Sequence, residues 1–105
     1  MKSRLANTDT MSAIIPSVLA KDLSEFKALV QRYENITDFL EVDVGDGVFV
    51  PNATFRDPAL IKQYPWLCEF GLHLMIQQPE DTLSQWIATG VERVIVHLES
   101  SEKLA

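Results

Sequence analysis

Phe39-Leu40-Glu41-Val42-Asp43-Val44 reads as a β-strand whose two faces differ. Residues two apart share a face of a strand. Leu40, Val42 and Val44 therefore form an aliphatic side, while Glu41 and Asp43 form an ionisable one. The split recurs downstream. In the run Cys68 to Ile76, Leu72, Leu74 and Ile76 oppose Gly71, His73 and Met75. In the run Arg93 to Glu99, Val94, Val96 and Leu98 oppose Ile95, His97 and Glu99. Upstream, Ala13 to Ser17 reads as the first strand, with Ser17 closing the face it shares with Ala13 and Ile15.

Helical patterns fill the gaps. Asp22 is placed as an N-cap with Glu25 three residues on as its capping-box partner. Leu23, Phe26, Leu29, Val30 and Tyr33 then make an apolar stripe at helical spacing. Asp57-Pro58 starts a second helix, with Pro at the first position, where its missing N–H costs nothing; it ends near Tyr64-Pro65. Pro79 opens a third, in which Leu83, Trp86 and Ile87 share a face and Gly90 supplies the stop. Four strands alternating with three helices predict an α/β fold with a parallel sheet. An open sheet covered on both sides would be apolar on both faces. A sheet with one aliphatic face, and a second face that turns polar towards the C-terminal strand ends, fits part of a (β/α)8 TIM barrel whose rim carries the chemistry.

Composition narrows the function. The 105 residues carry 15 Asp and Glu against 9 Lys and Arg, a formal net charge of −6. That balance argues against a nucleic-acid partner, which needs clustered cations, but allows a phosphorylated small molecule. One cysteine, Cys68, permits no internal disulfide. No apolar run reaches the ~20 residues of a membrane span. The expectation is a cytoplasmic protein without a membrane partner, with residues 1–12 a flexible N-terminal extension and 13–105 one domain.

Ser17, Glu41, Asp43, His73, Met75, His97 and Glu99 would converge at the rim. Ionisable groups on neighbouring strand ends are costly to bury without partners, and a metal ion or proton-transfer work would offset that cost. Oxygen and imidazole donors suit zinc, manganese or iron. Each residue also has a plain structural reading. A strand-end Asp often caps the next turn, a single His is often hydrogen-bonded scaffold, and Met75, Trp66 and Trp86 suit core packing. The loop Gly45 to Arg56 is long and rich in Gly, Pro and Asn, which suits a segment that covers a ligand.

Several stretches carry a resemblance. Ile15-Pro16-Ser17-Val18-Leu19-Ala20 with Asp22, then Val42-Asp43-Val44-Gly45-Asp46-Gly47-Val48-Phe49-Val50-Pro51-Asn52, then His73-Leu74-Met75-Ile76 with Pro79-Glu80, then Val96-His97-Leu98-Glu99 follow in order. Together they resemble the N-terminal half of the ribulose-phosphate 3-epimerase family. The resemblance implies a (β/α)8 barrel and an isomerase of carbohydrate metabolism, in the pentose phosphate pathway. Such an enzyme inverts the carbon beside the ketone of a phosphorylated pentulose with the help of a divalent metal (zinc, iron or manganese). It makes Asp43 the proton acceptor and a metal ligand, and His73 a metal ligand beside the substrate. Ser17 becomes a substrate contact and Met75 part of the pocket wall.

The chain departs from that pattern at two places. Glu41 stands where the family usually has a metal-binding His, so Glu41 either replaces that ligand with a harder one or marks loss of the metal. Gly45 stands where the family has Met, which would widen the pocket. A complete barrel needs roughly 200–250 residues, about twice what is present, and the family's second acid and phosphate loops belong to its other half. The expectation is an incomplete, inactive epimerase fragment, for which a homo-oligomeric pair of half barrels is the one route to activity. A non-catalytic sugar-phosphate-binding or interaction domain is the rival. A lyase or decarboxylase on the same barrel would place a Lys in the second strand, and Glu41 to Asp46 contains none.

Overall fold

Two caps set the helices on the sheet in the computed structural model, which describes residues 14–101. The expected extension over residues 1–12 lies outside the described residues. The Asp22 carboxylate accepts from Glu25 N–H at 2.8 Å, and Glu25 reaches back to accept from Lys21 N–H at 2.8 Å. This reciprocal pair satisfies donors that the first helical turn leaves unpaired. Asp57 likewise accepts from Leu60 N–H ahead of Pro58.

The elements run β1 (Ser17–Val18), α1 (Leu23–Glu34), β2 (Phe39–Gly45), α2 (Pro58–Gln63), β3 (Glu69–Met75), α3 (Leu83–Ile87) and β4 (Arg93–Val96). Short 3-10 turns, Pro79–Asp81 and Leu98–Ser100, precede α3 and follow β4. The sheet is parallel throughout, in the order β1-β2-β3-β4. Sequential parallel strands joined by crossovers of one hand place every helix on the same side, and the core confirms it. Val18, Leu40, Val42, Val44, Leu72 and Leu74 are buried in one cluster with Phe26 and Val30 of α1, Ile61 of α2 and Trp86 of α3. This is the α/β arrangement expected of a partial TIM barrel. No helix among the described residues is long and apolar enough to cross a membrane.

Aromatic rings lock α1 and α2 onto the sheet. The Trp66 ring stacks on Phe70 at 4.0 Å, and Phe26 meets Phe55 at 5.0 Å. Trp66 and Trp86 donate their indole N–H groups locally, to the Ile61 carbonyl and the Thr82 hydroxyl. Both tryptophans are packing residues, as the sequence reading expected.

Three boundaries differ from the sequence reading. The described part of the first strand is confined to Ser17–Val18, and Ile14 is 92% exposed. The fourth strand stops at Val96, so Leu98 leaves the aliphatic face for the 3-10 turn and is exposed. The third helix forms only over Leu83–Ile87; Trp86 is buried but Ile87 faces solvent. Gly90 does close that segment in the left-handed region, at φ 87°, where a side chain is disfavoured.

Candidate functional site

Register decides which polar groups meet. On the face away from the helices, Ser17, Glu41, Gly71 and Arg93 stand in one row, and Asp43, His73 and Ile95 in the next. Gly45 and Met75 pair in the row after that. Asp43 and His73 are therefore direct cross-strand neighbours, and His73 Nδ1 lies 3.5 Å from Asp43 Oδ1. The strands end two residues later, so the pair sits close to the C-terminal rim of the sheet.

Asp43 is half-buried, and that burial is the main reason its carboxyl pKa is raised above the ordinary 3.8. His73 pulls it back through its charge and a hydrogen bond, and the nearby Glu41 pushes it further up. A carboxylate held in a partly dry site beside an imidazole suits proton transfer.

His97 completes the cluster. Its Nε2 lies 2.8 Å from His73 Nε2. His97 follows Ile95 on the same face, the parity that placed it at the rim in the sequence. The direct contact with His73 was not foreseen. It depends on the bend after Val96, which no periodicity encodes.

Glu41 behaves differently. Its carboxylate meets Arg93 Nη2 at 3.3 Å, and the guanidinium lies 5.0 Å from the centre of the Phe39 ring. Gly71 stands between Glu41 and Arg93 in the same row. A Cβ built there would fall 2.8 Å from Glu41 Oε2 and 3.2 Å from Arg93 Cγ. The ion pair thus passes over a position that only glycine leaves open. Ser17 shares this deeper row and is exposed. The signal that would have found Arg93 is its parity: a long cation at the start of β4, facing the same side as His97.

The loop after β2 folds over the rim. Asp46 anchors it, with Oδ1 accepting from Val48 and Phe49 N–H and Oδ2 accepting from Gln77 N–H after β3. Burial raises the Asp46 pKa, but those N–H donors outweigh it and the net shift is downward. Asp46 also bridges to Ala53, and Thr54 bonds back to Gly45 through its N–H and its hydroxyl. The space beside Gly45 is filled rather than widened: a Cβ there would meet the Asn52 carbonyl at 2.4 Å and Val50 at 3.0 Å. Phe49 lies against His97, with ring centroids 5.5 Å apart. A cleft of about 400 Å³ lined by Asp46, Arg56, Gln77 and Trp86 lies elsewhere and includes none of Asp43, His73 or Met75.

Among the described residues no three His, Cys, Asp or Glu side chains gather to hold a metal. Asp43 and His73 present two adjacent donors of the right chemistry. Glu41 is engaged by Arg93.

Comparison with known proteins places this geometry in context. Residues 13–105 match the model of the ribulose-phosphate 3 epimerase family. The chain is 34% identical over 92 residues to the ribulose-phosphate 3-epimerase of Chlamydia pneumoniae, covering 85% of this chain and 40% of that protein. It is 33% identical over 90 residues to the enzyme of the same name from Treponema pallidum, covering 83% and 41%. A chloroplastic ribulose-5-phosphate-3-epimerase of Arabidopsis thaliana is 32% identical, with 87% and 33% covered. The chain thus spans about two fifths of the length of the first two curated relatives.

Proposed function

Because the chain belongs to the ribulose-phosphate 3-epimerase family, we propose that it forms the N-terminal half of the barrel of a cytoplasmic isomerase acting on a phosphorylated pentulose. The observation that carries this reading is the side-by-side placement of Asp43 and His73 on the inner face, at the strand ends where barrels hold their chemistry.

Asp43 acts as the base that removes the proton from the carbon beside the ketone. Partial burial keeps its carboxylate more basic than one in water, which favours proton abstraction. Without a cation between them, His73 faces that carboxylate through Nδ1. Ser17 and Met75 line the substrate's path along the same face, and the loop carrying Phe49 excludes water above it. Asp43 and His73 would supply two ligands to a divalent cation, zinc, iron or manganese. When bound, the cation supplies Lewis-acid stabilisation of the negative charge that develops on the ketone oxygen. Inversion needs a second acid on the other side of the sugar, and the described strands make one wall only.

Fusing residues 13–105 to the remaining part of the Chlamydia pneumoniae relative tests this reading. The fusion should interconvert ribulose phosphate and its 3-epimer, and the isolated chain should not. A folded but inactive fusion would favour the rival reading, a non-catalytic sugar-phosphate-binding or interaction domain, for which Glu41 in place of the family's usual His speaks.

A further inference from the structure

His73 and His97 are the two histidines of the chain, and their Nε2 atoms approach to 2.8 Å with ring centroids 5.0 Å apart. Two lone pairs do not meet at that separation, so one ring presents N–H and the other accepts. With both rings neutral, this couples their tautomers. The donor carries its proton on Nε2, and the acceptor carries its own on Nδ1. The other nitrogen of His73 decides between the two arrangements. Nδ1 faces Asp43 Oδ1 at 3.5 Å. A proton on Nδ1 complements the carboxylate, whereas a lone pair would oppose it.

We propose that His97 is a positioning residue for His73: its Nε2–H donates to His73 Nε2 and thereby holds the His73 proton on Nδ1, facing Asp43. The backbone around His97 is built to keep its ring there. The His97 carbonyl accepts from both the N–H of Ser100 at 3.1 Å and its hydroxyl at 2.6 Å. The Ser100 carbonyl in turn accepts from Gln78 N–H at 2.9 Å, tying the turn after β4 to the segment after β3. Phe49 of the loop after β2 lies against the ring, with centroids 5.5 Å apart. His73 is thus held against the preference of free imidazole, which in water favours the proton on Nε2. The coupling can also run in reverse without gain or loss of a proton. If His73 Nδ1 must present its lone pair to a cation, His73 donates from Nε2, and His97 accepts there and carries its own proton on Nδ1. The catalytic consequence rests on the reading of Asp43 as base; the tautomer assignment does not.

With only two histidines, the test is direct. The full chain, labelled with 15N in its imidazoles and free of metal, is studied at a pH where both rings are neutral by long-range 1H–15N correlation, which distinguishes protonated from bare ring nitrogens. His73 should show a protonated Nδ1 and a bare Nε2, and His97 the opposite. In His97→Phe, where only the Asp43 carboxylate is left to hold it, the share of His73 carrying its proton on Nδ1 should fall. In His97→Gln, whose amide N–H can replace the lost donor, the proton should stay on Nδ1. A wild-type His73 carrying its proton on Nε2, or an Nδ1–H share on His73 that is unchanged in a folded His97→Phe chain, would overturn the proposal. If His97→Phe does not fold, the wild-type and His97→Gln spectra decide, since Nε2–H on His73 in either contradicts it. Turnover plays no part in this readout, so it fails or succeeds independently of the epimerase reading.

Discussion

Glu41 and Asp43 lie two residues apart on one strand and point to the same side, yet their surroundings give them different tasks. Glu41 sits in the deeper row, where Gly71 opens a gap and Arg93 reaches through it to pair with the carboxylate. Asp43 sits one row nearer the rim, where its direct cross-strand neighbour is an imidazole, whereas that of Glu41 is Gly71 and the guanidinium comes from one strand further on. A permanent cation engages the Glu41 carboxylate. Asp43, partly buried beside a titratable imidazole, is the carboxylate we propose to exchange a proton. The partner that each carboxylate finds on this sheet is therefore set by the row in which the register places it, not by the strand that carries it.

The strongest way to break that contrast is from behind. Leu72 is fully buried on the helix-facing side, between the positions of Gly71 and His73. Leu72→Ala should cost about 2–5 kcal/mol of stability, measured by urea unfolding, and should disturb both rows together. A loss under about 1 kcal/mol would show that the aliphatic face does not hold the register.

The deeper row can be probed alone. Gly71→Ala should destabilise by about 1 kcal/mol, because the new methyl crowds Glu41 Oε2, Arg93 Cγ and Phe39 Cζ. The cost should shrink in a Glu41→Ala background, where the obstructed carboxylate is gone. Additive effects in a double-mutant cycle would mean the ion pair does not pass over Gly71. The pair itself is worth no more than about 1 kcal/mol, since Arg93 is half-exposed and such pairs are screened by water. Arg93→Met should therefore lower the melting temperature only slightly.

The smallest effect separates Asp43 from Asp46 by sign. The folded-state pKa of Asp43 is raised, so the native state binds its proton more tightly than the unfolded chain. Its ionisation penalises folding progressively as pH rises from about 3.8 through the folded value, and by a constant amount above it. Asp43→Asn should then be more stable than the parent at neutral pH, with the gain vanishing in acid. Asp46 is shifted the other way by backbone donors. Its contribution is present above 3.8 and is lost as pH falls through its lowered folded value, so Asp46→Asn should be less stable at neutral pH. Paired melting curves from pH 3 to 8 would read both signs. The same sign for both would contradict the assigned environments.

Much of this was legible in the residues. The Asp22–Glu25 cap, the Pro58 start, the Gly90 stop and the two-faced strands are local signals, and each appears where its chemistry predicts. The juxtaposition of Asp43 and His73 followed from strand parity together with parallel pairing. The rest depends on contacts between distant parts of the chain. Glu41 and Arg93 are 52 positions apart and meet only because both pair with Gly71. Leu98 continues the apolar alternation of β4 although the backbone has already turned into a 3-10 segment. Gly45 suggested empty space because its side chain is small, but the Asn52 backbone occupies that space.

The two carboxylates can be set against each other directly. In the fusion with the remaining barrel, solvent deuterium uptake at the carbon beside the ketone of ribulose phosphate should fall at least about a hundredfold in Asp43→Asn, as loss of a general base requires. It should stay within a few-fold of the parent in Glu41→Gln. Retained exchange without the Asp43 carboxylate, or a loss in Glu41→Gln as deep as that in Asp43→Asn, would contradict the division of labour between the two rows.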